Sequence, residues 1–240
     1  MTSKLVSIDI PPADRALYVV LLELDAPWHS VMSVETVAAA LEQIDLGLTR
    51  MSVDLEETWS AYDRRDAALA VWKGVDKRTA VTLSSADGRC RGTVSRYDRT
   101  PKTGSPIHRN TVTFTLPADE VRARGLECIE ANIATVAASL AAFTVAIASN
   151  SVCGPLDFPT LRDCPQPPAP LKQTAWLHVV AKRAWSYLGG AVRVPAPPLR
   201  AEQRSDGAVW IWSYADPLRY DTAEAIAGMR DFSVQMRPLV

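Results

Sequence analysis

The stretch Asn110-Thr111-Val112-Thr113-Phe114-Thr115-Leu116-Pro117 reads as a strand that ends at a proline, and from Ala118 onward the pattern becomes helical. Two strand-like runs precede it, Ala80 to Ser84 and Gly92 to Tyr97. Ala86-Asp87-Gly88 is a hairpin turn between those two, and Thr100-Pro101-Lys102-Thr103-Gly104-Ser105-Pro106 is an exposed loop before the third. Asp and Gly accept the backbone conformations of a tight turn. Connections this short join neighbours, so the three runs form an antiparallel meander. The expected fold is α+β: an antiparallel sheet covered by amphipathic helices, with residues 1–240 forming a single compact domain.

Toward the N-terminus, Leu5 to Ile10 alternates apolar and polar residues before Pro11-Pro12, and Ala16 to Leu24 is a denser apolar run; both read as strands. Ser33 can cap a helix whose Val34, Val37, Ala38, Leu41, Ile44 and Leu48 keep one stripe inward, with Gly47 near its end. From Asp54 to Trp72 the pattern is mixed: Leu55, Trp59 and Tyr62 fit a helical face, whereas Ala67 to Trp72 fits a strand.

Toward the C-terminus, Leu126, Ile129, Ile133, Val136, Leu140 and Phe143 recur at helical spacing, which predicts a helix from about Ala118 through Ala148, broken near Gly125, lying across the sheet. Cys153 to Pro170 holds Pro165, Pro167, Pro168 and Pro170 and reads as a proline-rich surface loop. After it come Trp176 to Leu188, Gly189-Gly190, Ala191 to Val194 and a strand from Ala208 to Tyr214. Asp221 followed by Glu224 resembles a capping box for a last helix from about Thr222 to Met236. Trp210 and Trp212 must share one side of their strand and Ile211 the other. That aromatic side is core or an interaction platform, and core is the expected role.

With 26 basic against 27 acidic residues the chain has no broad cationic footprint, which argues against nucleic acid as a partner. The Ala/Val-rich run from Ile133 to Ala148 falls short of the roughly 20 residues that a bilayer span needs. It reads as a buried helix, and no membrane association is expected. No secretory signal is legible at Met1 to Leu5, so Cys90, Cys128, Cys153 and Cys164 are expected as reduced thiols in a cytoplasmic protein. Cys153 and Cys164 could pair only if the chain were exported. Cys90, Cys128 and Cys153 are expected to be small buried hydrophobes.

Few patterns point to chemistry. His29, His108 and His178 stand outside any recognisable nucleophile–base motif, and GxSxG is absent. No HxxxH, HExxH, paired CxxC or calcium-loop spacing supports a metal, and no P-loop or GxGxxG supports a nucleotide. The expectation is a protein that is not an enzyme, has no catalytic, cofactor or metal site, and works through a surface. Tryptophan is frequent, with seven in the chain, and exposed tryptophans anchor protein partners. The residues chosen as partner-binding are Trp28, Trp59, Trp72, His108 and Arg109.

Three stretches carry a family likeness in the second half of the chain. The first is Asn110 to Pro117 with its long helix. The second is Trp176-Leu177 followed by Leu188-Gly189-Gly190. The third is the Gly207 to Tyr214 strand with Asp216-Pro217, Asp221 and a terminal helix ending Arg237-Pro238-Leu239. Together they resemble the immunity proteins of type VI secretion effectors, a family once described as a domain of unknown function. The resemblance implies a cytoplasmic protein that binds one cognate toxin effector stoichiometrically and blocks it. Two alternatives stand beside it: an enzyme with a dispersed site, and a phage- or secretion-associated adaptor. Sequence leaves the oligomeric state open, a homodimer included.

Overall fold

Strand β1 (Ala16–Leu24) lies inside the sheet, with antiparallel neighbours on both sides. The computed structural model describes residues 16–24, 26–53, 58–73, 78–99, 107–150, 175–184 and 200–235. After β1 come α1 (Val31–Gln43), β2 (Leu48–Val53), β3 (Ser60–Ala61), α2 (Arg64–Lys73), β4 (Arg78–Ser85), β5 (Arg91–Arg99), β6 (Ile107–Pro117), α3 (Ala118–Arg124) and α4 (Leu126–Ser139). The chain continues with β7 (Phe143–Asn150), β8 (Leu177–Val180), β9 (Arg200–Gln203), β10 (Val209–Trp212) and α5 (Ala223–Gln235). The strands form one antiparallel sheet in the order β3-β2-β4-β5-β6-β1-β7-β8-β10-β9. The α+β class and the β4-β5-β6 meander are as the sequence predicts.

Side-chain alternation divides the core in two. On the first face Leu17, Val19 and Leu21 join Val112, Phe114 and Leu116 beneath α1 to α4. On the second face Val20, Leu22, Val145, Ile147, Val180, Val209 and Ile211 gather with Phe232 of α5. Ala225 and Met229 of α5 join the first cluster, so this helix contributes to both cores near the end of β10. There Gly228 lies against the backbone of Ser213, where an added Cβ would run into the Ser213 carbonyl oxygen.

The helix expected from Ala118 to Ala148 is in fact three elements. Gly125, with φ of 76°, separates α3 from α4 as expected, but Leu140 turns extended and residues 143–150 form β7. β7 is buried on both faces, Val145 and Ile147 on one and Ala146 and Ala148 on the other. A strand covered on both sides loses polar alternation and reads like a buried helix. Its β-branched Thr144, Val145 and Ile147 favour extended backbone.

Other boundaries move for local reasons. α1 starts after Ser30, whose φ of −157° and ψ of 161° are those of an N-cap, and not at Ser33. Asp45 and Gly47, at φ of 52° and 61°, turn the chain so that Leu48 opens β2 and does not continue the helix. Ala67 to Trp72 belongs to a helix and not to a strand. Asp63 accepts the Asp66 amide at 2.9 Å through its side chain, and Ala67, Ala68 and Val71 face the core. α1 and α2 are tied by Arg65–Glu35 and by Glu42, which accepts from Tyr62 and Arg64. The Arg64 guanidinium holds the Glu42 carboxyl below its ordinary range.

Thr222, and not Asp221, caps α5 by accepting the Ala225 amide at 3.2 Å. β9 follows Pro195, Pro197 and Pro198 in the sequence and was not expected. Cys90 is buried, as expected, and burial pushes its thiol up, whereas Cys128 is exposed on α4 and is no core residue. Leu5 to Ile10, the loop 153–170, Cys153, Cys164 and Leu188 to Val194 lie outside the described residues. No described helix is long and apolar enough to cross a membrane.

The tight seat of α5 gives a test of packing. Gly228→Ala is expected to lower stability by about 1–3 kcal/mol, since backbone must move to admit one methyl. A urea unfolding midpoint unchanged from the parent would contradict the close approach.

Candidate functional site

A polar ribbon crosses the first face at one end of the sheet. The pairing aligns Glu23 of β1 with Asn110 of β6 and Asn110 with Arg96 of β5, while Asp98 stands opposite His108 in a further cross-strand pair. Glu23 is only 1% exposed, so its carboxylate must find donors inside the protein. It accepts from Trp28 Nε1 at 2.7 Å, Asn110 Nδ2 at 2.9 Å and the Ala142 amide at 2.5 Å. These bonds fasten the loop after β1, the central strand β6 and the start of β7 to one point. Arg183 adds bonds to the Ala142 and Leu24 carbonyls.

Nearer solvent the ribbon becomes cationic and aromatic. The Arg96 guanidinium lies 4.4 Å from the centre of the Trp72 ring and also donates to Asp98. Asp98 in turn stands 2.9 Å from His108 Nδ1. His108 thus has the carboxylate partner of an acid–base pair. The described contacts of this cluster supply guanidinium, indole, carboxylate and imidazole, and no thiol or hydroxyl nucleophile. His29 is exposed in the loop before α1, and His178 is buried, stacked 3.8 Å from Phe232. Among the described residues no three His, Cys, Asp or Glu side chains converge as metal ligands. The seam between α1, α2 and the sheet, lined by Val34, Ala38, Ala67, Val71, Val81 and Val94, is closely packed and apolar.

The second face has a different character over β2, β4, β5 and β6. Ser52, Thr82, Thr93 and Thr113 stand side by side in register, as do Ser95 and Thr111, and Thr113 continues to Val20 where the apolar half begins. One edge of this hydroxyl field carries Arg50, Ser84, Arg91, Thr115 and Tyr18 in register, and the other carries Tyr97 paired with Arg109. Ser52, Ser84, Ser95 and Thr113 in this half of the second face are buried. Trp59 is 40% exposed beside β3, with the Arg50 guanidinium 5.2 Å from its ring centre.

The five residues chosen from sequence fall into two groups. Trp28, Trp72 and His108 meet along the ribbon on the first face, with Trp28 buried and the other two half-buried. Trp59 and Arg109 lie at opposite borders of the hydroxyl face. Sequence reading passed over Glu23, Arg96, Asp98 and Asn110, whose meeting depends on strand register. It also passed over the hydroxyl face, although Thr111, Thr113 and Thr115 alternate visibly with Val112, Phe114 and Leu116. Trp210 and Trp212 serve the core, with Trp212 Nε1 donating to Glu130 at 2.9 Å and Arg204 and Arg200 capping the two rings.

Glu23→Gln tests the ribbon's anchor. Its amide would turn an N–H toward one of three donors, at a cost of about 1–3 kcal/mol. Equal urea midpoints for parent and variant would show that the three bonds are not made together.

No protein-family model matches the sequence, and no curated protein matches it. The fold is similar to that of a solved Pseudomonas aeruginosa T6SS protein, PA0821, with a TM-score of 0.61 at 15% identity, over 93% of this chain and 77% of that one.

Proposed function

We propose that this chain is an immunity protein of the type VI secretion kind, which neutralises one cognate secreted toxin by forming a stoichiometric complex with it in the cytoplasm. The observation that carries the reading is the fold shared with a Pseudomonas aeruginosa T6SS protein over 93% of the chain. The three family-like stretches, from Asn110 to the terminal helix, support the narrower assignment to immunity. The work is done by surface complementarity and not by turnover. A stable complex of this type buries about 1,200–2,000 Å² in total, with a few Trp, Tyr and Arg side chains dominating its energy.

The test is co-expression with the secreted toxin encoded beside the gene. The chain is expected to restore growth and to co-purify with that toxin at equal stoichiometry by light scattering. A toxin that neither binds this chain nor is relieved by it overturns the reading.

A second reading, an enzyme with a dispersed site, is favoured by one observation: the Asp98–His108 pair at 2.9 Å. Under it, Asp98→Asn would abolish turnover of a small substrate by the purified chain. Under the immunity reading, no such turnover accompanies toxin neutralisation.

A further inference from the structure

We infer that the β3 edge of the sheet receives the protein partner, and that the partner presents an extended segment which adds a strand beside Ala61 and covers Trp59. The inference rests on the binding role proposed above and adds the place and the form of binding.

Backbone geometry leaves this edge unsatisfied. β2 and β3 pair antiparallel, with Arg50 opposite Ala61 and Met51 opposite Ser60. The Tyr62 amide donates to the Thr49 carbonyl at 3.0 Å, so Thr49 and Tyr62 are a hydrogen-bonded pair. Along an antiparallel ladder such pairs alternate with pairs that exchange no bond. Arg50 and Ala61 are therefore of the second kind: Arg50 directs its amide and carbonyl toward β4, and Ala61 directs its own out of the sheet. Among the described residues no strand lies beyond β3. Thr58, Trp59, Ser60 and Ala61 are all exposed, so the border is open to solvent. An outward N–H and C=O on extended backbone are complementary to another extended backbone.

The two ends of the sheet differ in charge. β9 carries Arg200 and Glu202 as an ion pair, a pattern that opposes strand addition. Thr58 to Ala61 holds no charge, and the next charged residues, Asp63 and Arg64, are already engaged by the Asp66 amide and Glu42. Trp59 is one of three exposed large apolar side chains among the described residues, with Met32 and Ile226. Alternation sets Trp59 and Ala61 on one face, so a strand bound at Ala61 lays a side chain against the indole. Main-chain bonds supply affinity in this mode, and the side-chain contact supplies preference for an apolar residue. Trp59, with the Arg50 guanidinium 5.2 Å from its ring centre, has the composition of an interface anchor. A second copy of this chain is a poorer occupant, since it offers only the same two-residue strand. A longer segment of another protein also reaches past Thr58 and over Trp59.

Ala61→Pro removes the outward N–H and leaves the bonds to β2 in place, as proline is tolerated on an edge strand whose N–H faces solvent. Trp59→Ala is the second variant should the proline disturb folding, and Met32→Ala, at an exposed position of α1, is the control. The probe is a phage-displayed library of random dodecapeptides selected on the immobilised chain, with enriched peptides remade and measured by fluorescence polarisation. Enriched peptides are expected to protect the Ala61 amide from hydrogen exchange. Ala61→Pro and Trp59→Ala are each expected to weaken them roughly tenfold, with Met32→Ala unchanged. An Ala61 amide already as protected as those of Ser60 and Tyr62 in the chain alone would overturn the inference. So would a failure to enrich, peptides indifferent to both variants, equal weakening by Met32→Ala, or a dimer of the chain alone that Ala61→Pro abolishes. The toxin is absent from this assay, so the two readings fail separately. Peptides held at this edge by a chain that neutralises no toxin sink only the immunity role, and a toxin complex indifferent to Ala61→Pro and Trp59→Ala sinks only this edge.

Discussion

In β1 the run from Val19 to Leu22 is divided between two interiors. Leu17, Val19 and Leu21 lie under the helices, while Val20 and Leu22 lie in the second cluster with β7 and Phe232. A slip of one residue would exchange these sets and turn Glu23 from its three donors into the apolar second face. The carboxylate therefore acts as a register pin as well as a fastener. Any other pairing leaves a charge buried without partners, a larger penalty than the loss of a few apolar contacts. The bulge in the β1–β7 pairing falls between Leu22 and Glu23, where the carboxylate reaches the Ala142 amide.

From β1 the molecule becomes unequal on its two sides. Toward β7, β8 and β10 the sheet carries apolar side chains on both faces. Toward β4 and β2 the first face is packed beneath α1 and α2, and the second face changes to serine, threonine and arginine. Apolar and hydroxyl side chains thus share the second face of one continuous sheet, divided between Thr113 and Val20. A sheet with one apolar and one hydroxyl-bearing face keeps its polar and apolar alternation.

This asymmetry decides what sequence could and could not show. Where one face is packed and the other polar, the period of two is plain, and β4, β5 and β6 were legible along with the Gly88 hairpin. β7 has no polar face, so its apolar run extended the preceding helix by composition alone. The error at α2 has another origin. Ala67 to Trp72 is too short a run for periodicity to arbitrate, and the cap that settles the matter, Asp63, stands outside it. The candidate sites were legible as single residues only. Trp28, Trp72 and His108 could be named, but their ribbon needs Glu23, Arg96, Asp98 and Asn110 brought together across β1, β5 and β6. Register at that distance is a tertiary property. The threonine alternation was visible, but its cationic borders come from separate strands.

β9 ends the sheet among the described residues, and its four residues carry Arg200 and Glu202 in a mutual ion pair, with Arg200 also lying over Trp212. A stranger strand that tried to extend the sheet at this border would have to strip water from both charges and displace the guanidinium from the indole. Short, charged borders discourage such edge-to-edge growth. The ladder that organises the interior therefore stops, at this border, where adding a rung would be unfavourable.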